Sequence, residues 1–396
     1  MTTKWWRPNH CPIGIDLGKT SVKLMQLERI GDGLRVIASA AVTLPDGLDP
    51  YSDKYHDAVG DAIKQGLSRG AFRGKGCVSS MPSAVMQYKN LRLPAMPEAE
   101  LASAVQWEAA DRVRYPGQSP VVQFFDAGEV RQGTDIRREV ILVAAPNGFI
   151  EKHTATLQAI GLSPQAIDAA PAALARCLNE SGQIARQGQS LIDSSGQDTA
   201  DPSEPLALPA GNEPTAPPVQ VILEFGYSSS NIVIASGGSV VFFKPLPIGS
   251  GSLDQAAAEA MRRPIEEVAI IRRAEEQEGK TATEQAAEYA EFVEATQTQV
   301  NDLGREIGLC LRYYTVTFRG ARPETVSLIG GAGDQALADR LTPLAGVTIK
   351  PSDPLSGIDI TSVRGAVPRS THAAWGLAAG LSLRDECSSQ KTKGAA

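Results

Sequence analysis

Hydrophobic and polar positions alternate with period two in three runs near the start of the chain, "PIGIDLG", "SVKLMQLE" and "LRVIASAAVTL". Gly18-Lys19-Thr20 separates the first two and Gly31-Asp32-Gly33 the next pair, which predicts a three-stranded antiparallel meander. The pattern then changes to a helical one over "DKYHDAVGDAIKQGLSRG", where Tyr55, Val59, Ile63 and Leu67 share a face and Gly70 is placed as a C-cap. "GKGCVSSMP" reads as a short strand. Proline turns follow, and a helix carrying Leu101, Ala104, Val105 and Ala109 is stopped by Tyr115-Pro116. Two strands, "VVQFFDAG" and "REVILVAAP", and a helix from about Gly148 to Ile160 complete a compact α/β insert.

After a helix around "PAALARCLNE" the patterning stops. Residues 181–218 are rich in Ser, Gly, Gln and Pro and nearly empty of aromatics, so they read as a disordered low-complexity loop. The second half then repeats the opening: "VQVILEFG", "SSNIVIAS" and "GSVVFFKPLPIG" again give strand, glycine turn, strand, Gly-Gly turn, strand. Aligning "IGIDLGKTSVKLMQL" with "VILEFGYSSSNIVIA" places Asp16-Leu17-Gly18 on Glu224-Phe225-Gly226. Helices over "SLDQAAAEAMRR" and "PIEEVAIIRRAEEQ" precede one long helix from about Thr283 to Phe318, with Val300, Leu303, Ile307, Leu311 and Tyr314 on its buried face. "ETVSLIGGAGDQALADRLTPLAGVTI" reads as strand, glycine loop, helix and strand, and an Ala-rich helix around "HAAWGLAAGLSL" closes the pattern.

The expected organisation is a leader (1–12), a first-half core (13–90), an inserted subdomain (91–165), a connecting helix (166–180) and the loop (181–218). A second-half core bearing the second hairpin (219–250), a helical subdomain (251–320), the core with the Gly-Gly-Ala-Gly loop (321–385) and a polar tail (386–396) follow.

Composition narrows the function. A net charge of -7 without a basic stripe gives nucleic acid no footprint. Five cysteines scattered singly and four distant histidines offer no zinc site, disulfide framework or evident triad, and fit a reducing compartment. No run is long and apolar enough to span a bilayer, and the tail "RDECSSQKTKGAA" lacks the apolar face of a membrane-binding helix. Trp5 and Trp6 in the leader supply little area for a membrane interface, so direct insertion is not expected.

An acid-x-Gly turn found twice, followed by a strand and a glycine loop opening a helix, forms a coherent set. Small turn residues let backbone N–H groups face phosphate oxygens. An acid ending each first strand suits the waters of a hydrated Mg²⁺. A loop of Gly330, Gly331 and Gly333 before a helix lets a nucleotide lie against backbone. On these motifs the chain resembles the actin-like ATPase superfamily, whose duplicated halves close over ATP. Within it the stretches "LRLPAMPEAELASAVQWEAADRVRYP" and "EVILVAAPNGFIEKHTATLQAIGLSPQAIDAAPAALARCL" resemble PilM, the actin-like family of type IV pilus assembly related to FtsA.

The resemblance implies an α/β actin-like fold with an FtsA/PilM-type inserted subdomain. It implies a cytoplasmic scaffold drawn to the inner membrane face by the cytoplasmic tail of a PilN-like protein, alongside other pilus-assembly platform proteins. Actin-like folds range from monomer to filament, so a homo-oligomer is compatible. Carried over residue by residue, Asp16, Gly18, Lys19, Thr20 and Ser21 fall on the first phosphate hairpin, and Glu224, Gly226, Ser228 and Ser229 on the second. Gly330, Gly331 and Ala332 fall beside base and sugar, with ATP and Mg²⁺ as ligands and Asp16 and Glu224 reaching the metal through water. Lys23 points either to the side of Ser21 or into solvent.

Three departures from the family bear on catalysis. Glu224 stands where aspartate is usual, one methylene longer. Ala169, Ala170 and Pro171 stand where hydrolases orient water, leaving Asp168 as the one nearby candidate base or helix cap. Ala269 stands at the ribose-contacting Glu position and Arg272 at the neighbouring lysine position. Weak nucleotide binding with slow or absent hydrolysis is therefore expected. The alternatives are a small-molecule kinase or active ATPase of the same superfamily, and an FtsA-like or type II secretion platform component.

Overall fold

The computed structural model describes residues 10–195, 218–273, 281–320, 322–361 and 369–384. The first half opens with strands β1 (His10–Leu17), β2 (Ser21–Ile30) and β3 (Gly33–Thr43), then helix α1 (Asp53–Arg69) and strand β4 (Gly76–Ser79). β5 (Gln87–Pro94), α2 (Glu98–Arg112), β6 (Pro120–Gln132) and β7 (Asp135–Pro146) build the insert. α3 (Asn147–Ala159), β8 (Ser163–Ile167) and α4 (Ala170–Ser195) return the chain to the core. The second half holds β9 (Val219–Phe225), β10 (Ser230–Ser236), β11 (Ser239–Leu246), α5 (Ser250–Met261), α6 (Ile265–Arg272), α7 (Ala282–Ala295) and α8 (Gln297–Phe318). It ends with β12 (Thr325–Ile329), α9 (Gln335–Ala345), β13 (Thr348–Pro351) and α10 (Gly376–Ser382).

Two five-stranded sheets share one topology: β3-β2-β1-β4-β8 and β11-β10-β9-β12-β13. Each pairs an antiparallel meander with two parallel strands, β4 and β8 in one and β12 and β13 in the other. Parallel neighbours need helical crossovers, which α1 and α9 provide. Apolar residues of β1 and β2 such as Ile13, Ile15, Val22 and Leu24 bury against α1, giving the first half its own core. In the second half Val300, Leu303, Ile307 and Leu311 of α8 are fully or nearly fully buried, each worth roughly 2 kcal/mol on removal from water.

Several boundaries differ from expectation. β1 starts at His10, inside the expected leader, and Cys11 is buried; Trp5 and Trp6 lie outside the described residues. α1 does end at Gly70, but that residue is extended (φ -114°) rather than left-handed. The insert's sheet, ordered β5-β7-β6, begins at Gln87, while β8 joins the first sheet and α3 packs on α1, so both belong to the core. α4 runs through Ser195, into the expected loop; 196–217 and the tail from 385 lie outside the described residues. α10 packs on β1, β2 and α4, which puts this last helix on the first half.

The expected long helix is two. It breaks at Thr296, which is fully buried and whose Oγ1 donates to the Phe292 carbonyl at 2.8 Å. Arg340 of α9 donates to the Val293 carbonyl (3.0 Å) and to Thr296 Oγ1 (2.9 Å). A threonine back-bonded to the preceding turn bends a helix, and the guanidinium takes a carbonyl the ladder would use. Among the described residues no helix is long and apolar enough to cross a membrane.

The seam between α1 and α3 carries two buried histidines, His56 tilted against Phe149 and His153 stacked on it. His153 Nε2 shares a 2.9 Å hydrogen bond with Ser79 Oγ, while its Nδ1 has no partner among the described residues. Burial, with His56 adding to it, lowers the His153 pKa to about 4. Below pH 6.5 the unfolded chain takes a proton there that the folded chain refuses until about pH 4, so stability falls across that window. His153 should account for on the order of 3 kcal/mol of this loss. Urea titrations of wild type and His153→Gln between pH 7 and 4 should show the shallower pH slope in the variant.

Candidate functional site

The two meanders turn by the same mechanism. The Gly18 N–H donates to the Ser21 carbonyl at 3.0 Å, and the Gly226 N–H donates to the Ser229 carbonyl at 3.1 Å. A Cβ at Gly18 would sit 2.9 Å from the Ser21 oxygen, and one at Gly226 2.8 Å from that of Ser229. The glycines are therefore needed to close the turns, and their own N–H groups are spent inside them. Lys19 and Thr20 in one turn, and Tyr227 and Ser228 in the other, donate to no acceptor through backbone N–H among the described residues.

Each acid is held by the residue paired with it across the hairpin. Asp16 pairs in register with Lys23, and Glu224 with Asn231. Lys23 Nζ lies 3.3 Å from Asp16 Oδ2, and Asn231 Nδ2 donates to Glu224 Oε2 at 2.6 Å. The structure thus resolves the two orientations open for Lys23: its side chain is 22% exposed and turned to the acid. Lys19 turns outward instead, donating to the Leu48 carbonyl at 3.3 Å.

Between the halves runs a cavity of about 440 Å³ lined by both hairpins, the glycine loop and α6. It brings together Asp16, Gly18, Lys19, Thr20, Ser21, Lys23, Glu224, Gly226, Arg272, Gly330, Gly331 and Ala332. Ser228 and Ser229 instead border a smaller adjoining cavity, which shares the walls Asp16, Gly18, Lys19, Glu224 and Gly226. Gly330 holds φ +108°, and a Cβ there would fall 2.2 Å from the Phe225 carbonyl. Only glycine lets this loop lie so close behind the second hairpin.

Arg272 lines the cavity but is bidentate to Asp254, at 2.7 and 3.2 Å, with the carboxylate nearly fully buried. It is a fixed wall of the cleft more than a free hand for a ligand. Asp168 reaches neither cavity. Its Oδ2 accepts from Arg176 at 3.0 Å and its Oδ1 from the Ala169 N–H at 2.9 Å, and Arg384 Nη1 forms an ion pair with Oδ1 at 2.6 Å. A carboxylate so occupied ties α4 to the end of α10 and is not placed to take a proton from a substrate.

Glu224 faces the cleft with its carboxyl pKa raised, first by burial and then by Asp16, against the Asn231 hydrogen bond and Lys23. Two acids around one space, one of them desolvated, form a donor set that a cation would relieve, so the residues fit a hydrated Mg²⁺ held through its waters. Asn231, Tyr227 and Asp254 are site residues that sequence reasoning did not single out. The alignment of the two hairpins already superposes Asn231 on Lys23 and Tyr227 on Lys19, which was the available signal.

Residues 14–190, somewhat under half of the chain, match the family model for the type IV pilus assembly protein PilM. The fold is similar to a chain of the PilM–PilN type IV pilus biogenesis complex, at TM-score 0.71 and 20% identity over 95% of this chain and 98% of that one. It is also similar to the ethanolamine utilization protein EutJ of Carboxydothermus hydrogenoformans, at TM-score 0.50 and 11% identity over 96% of this chain and 91% of that one. No curated protein matches the sequence. The architecture is the actin-like ATPase fold, as the resemblance implied.

Because burial and Asp16 both make ionisation of Glu224 costly, removing its charge should stabilise the ligand-free protein. A raised carboxyl pKa gives stability that is full at low pH and lost as pH rises through the folded value. Glu224→Gln should therefore raise the melting temperature at pH 7 and lose that advantage by pH 4. Calorimetric scans at the two pH values decide it; a variant less stable than wild type at pH 7 would be the contrary result.

Proposed function

We propose that this chain is an actin-like scaffold of a type IV pilus assembly machine, acting in the cytoplasm through the N-terminal tail of a PilN-like inner-membrane protein. The observation that carries the reading is the pair of hairpins, with Asp16 and Glu224 opening on one cleft of a chain PilM-like over residues 14–190. What the PilM–PilN complex assembles is a fact about that complex; here it supplies the partner class to test.

In this reading the cleft holds a nucleoside triphosphate. The N–H groups of Lys19, Thr20, Tyr227 and Ser228 and the Lys23 ammonium face its phosphates, and Gly330, Gly331 and Ala332 pack on base and sugar. Bound Mg²⁺ would add positive charge against the phosphates, held by Asp16 and Glu224 through water. Hydrolysis is slow or absent, because Ala169 and Ala170 have no polar side chain to orient water and Asp168 is held by two arginines. The same occupancy of Asp168 removes the base that a kinase reading needs.

The partner tail is assigned to the junction of first half and insert. Tyr51 is 48% exposed there, beside Phe149 at 6.4 Å, and offers an aromatic surface to an extended apolar peptide. Calorimetric titration should detect binding of a PilN-like tail peptide, weakened by Tyr51→Ala; no heat at tens of micromolar peptide, with or without Mg-ATP, would count against the scaffold. Mg-ATP at about 100 times its Kd should add roughly 2.7 kcal/mol to stability, and Asp16→Asn or Lys23→Met should reduce that gain. If millimolar Mg-ATP leaves the melting temperature unmoved, the cleft does not bind nucleotide.

A further inference from the structure

The face of α8 opposite its buried residues is not spent on the fold. Leu309, Tyr313 and Val316 lie four and three residues apart on that face and are 43%, 37% and 71% exposed. Valine is a poor helix former and gains little from burial when left this bare, so folding gives no reason for Val316. The Tyr313 hydroxyl accepts from Arg92 Nη2 and donates to Glu139 Oε2, both at 3.3 Å, which fixes the ring at the insert side of the face. Basic residues follow a fixed period beside the stripe. Arg305, Arg312 and Arg319 are exposed and seven residues apart, over about 21 Å of helix. Arg305 pairs with Asp302 at 3.0 Å, but Arg312 and Arg319 have no carboxylate partner among the described residues.

A four-and-three apolar stripe with a cation every seventh residue is the pattern by which one helix receives another. Apolar side chains interdigitate along the seam, and the charges beside it select the partner by sign. Arginines at that period match carboxylates carried once per heptad. A second copy of the chain fits less well. Its α7 carries Glu284 and Glu291 seven apart, but Glu284 is bonded to the Thr281 N–H at 2.8 Å, and Ala287 and Ala290 are too small to fill the seam. On α2 the exposed Trp107 lies between Glu100 and Asp111, eleven apart. An anionic bilayer fits less well too, because Asp302 stands on the same face and a fluid surface has no seven-residue period.

We propose that the face of α8 between Arg305 and Arg319 docks an acidic amphipathic helix of a partner protein. Leu309, Tyr313 and Val316 form this chain's side of the seam, and Arg312 and Arg319 pair with the partner's carboxylates. No residue of α8 lines the cleft or the cavity beside it, so this surface stands whatever becomes of the function proposed above.

Cross-linking tests it on the full chain in its native cells. The photoreactive p-benzoylphenylalanine replaces Val316, or the exposed Ser103 of α2 as a control, and mass spectrometry reads the captured segment. Position 316 should capture a partner segment in which glutamates or aspartates flank a four-and-three apolar stripe. Made as a peptide, that segment should bind the full chain in calorimetric titration, more weakly as salt rises. Arg312→Glu should weaken binding about tenfold, and the same peptide with its acids changed to lysine should regain affinity for that variant. Leu309→Ser with Val316→Ser should weaken both peptides. All the substituted side chains are exposed; should Arg312→Glu lower the melting temperature, Arg312→Gln with the acidic peptide gives the smaller loss that decides. Capture of this same chain, of lipid or of a segment without acids would overturn the proposal. So would no capture beyond that at Ser103, or a peptide whose affinity is the same for wild type and the folded Arg312 variants.

Discussion

Two carboxylates that share one cleft are the constraint around which the structure is arranged. Duplication puts an acid at the same hairpin position in each half, and closing the halves turns both toward one space. Like charges in a partly dry cleft repel, so each needs a partner at fixed distance. The hairpin register supplies it: the residue opposite the acid is Lys23 in one half and Asn231 in the other. The glycine two residues on makes the register possible, because any Cβ there would strike the turn's own carbonyl.

What could be read from the residues follows from how local each feature is. The meanders, the acid-x-Gly turns and the strand–loop–helix around Gly330 were legible because period, turn chemistry and duplication agree over short stretches. The break at Thr296 was not, since the residue that enforces it, Arg340, comes from another helix. Nor was the fate of Asp168: nothing in "DAAPAAL" says that Arg176 and Arg384 will close on it. The insert's start was misread because β5, "QYKNLRLP", buries only Leu91 and Leu93 fully and carries little alternation.

The exchange between halves has one physical root. α10 returns to the first sheet, and the insert leans on the second half, so each half is covered by chain that belongs in sequence to the other. A two-half molecule joined only at its cleft would separate easily. Apolar seams such as Tyr88 on Phe243 and the cluster that holds Trp375 and Met25 give it a continuous interior while leaving the cleft open.

The two hairpins have not diverged symmetrically, and the charge balance shows the consequence. Asp16 is neutralised by Lys23, but the partner of Glu224 is an uncharged amide, and Lys19 is turned away to the Leu48 carbonyl. At Arg272 the positive charge is already matched by Asp254. The hairpin end of the cleft therefore holds no surplus positive charge from Lys23 or Arg272. On the function proposed above, a triphosphate entering alone would set its several negative charges against backbone N–H groups and a Lys23 ammonium already facing Asp16. On that reading it brings a cation, and Glu224, whose hairpin partner is an uncharged amide, faces the space where that cation would lie.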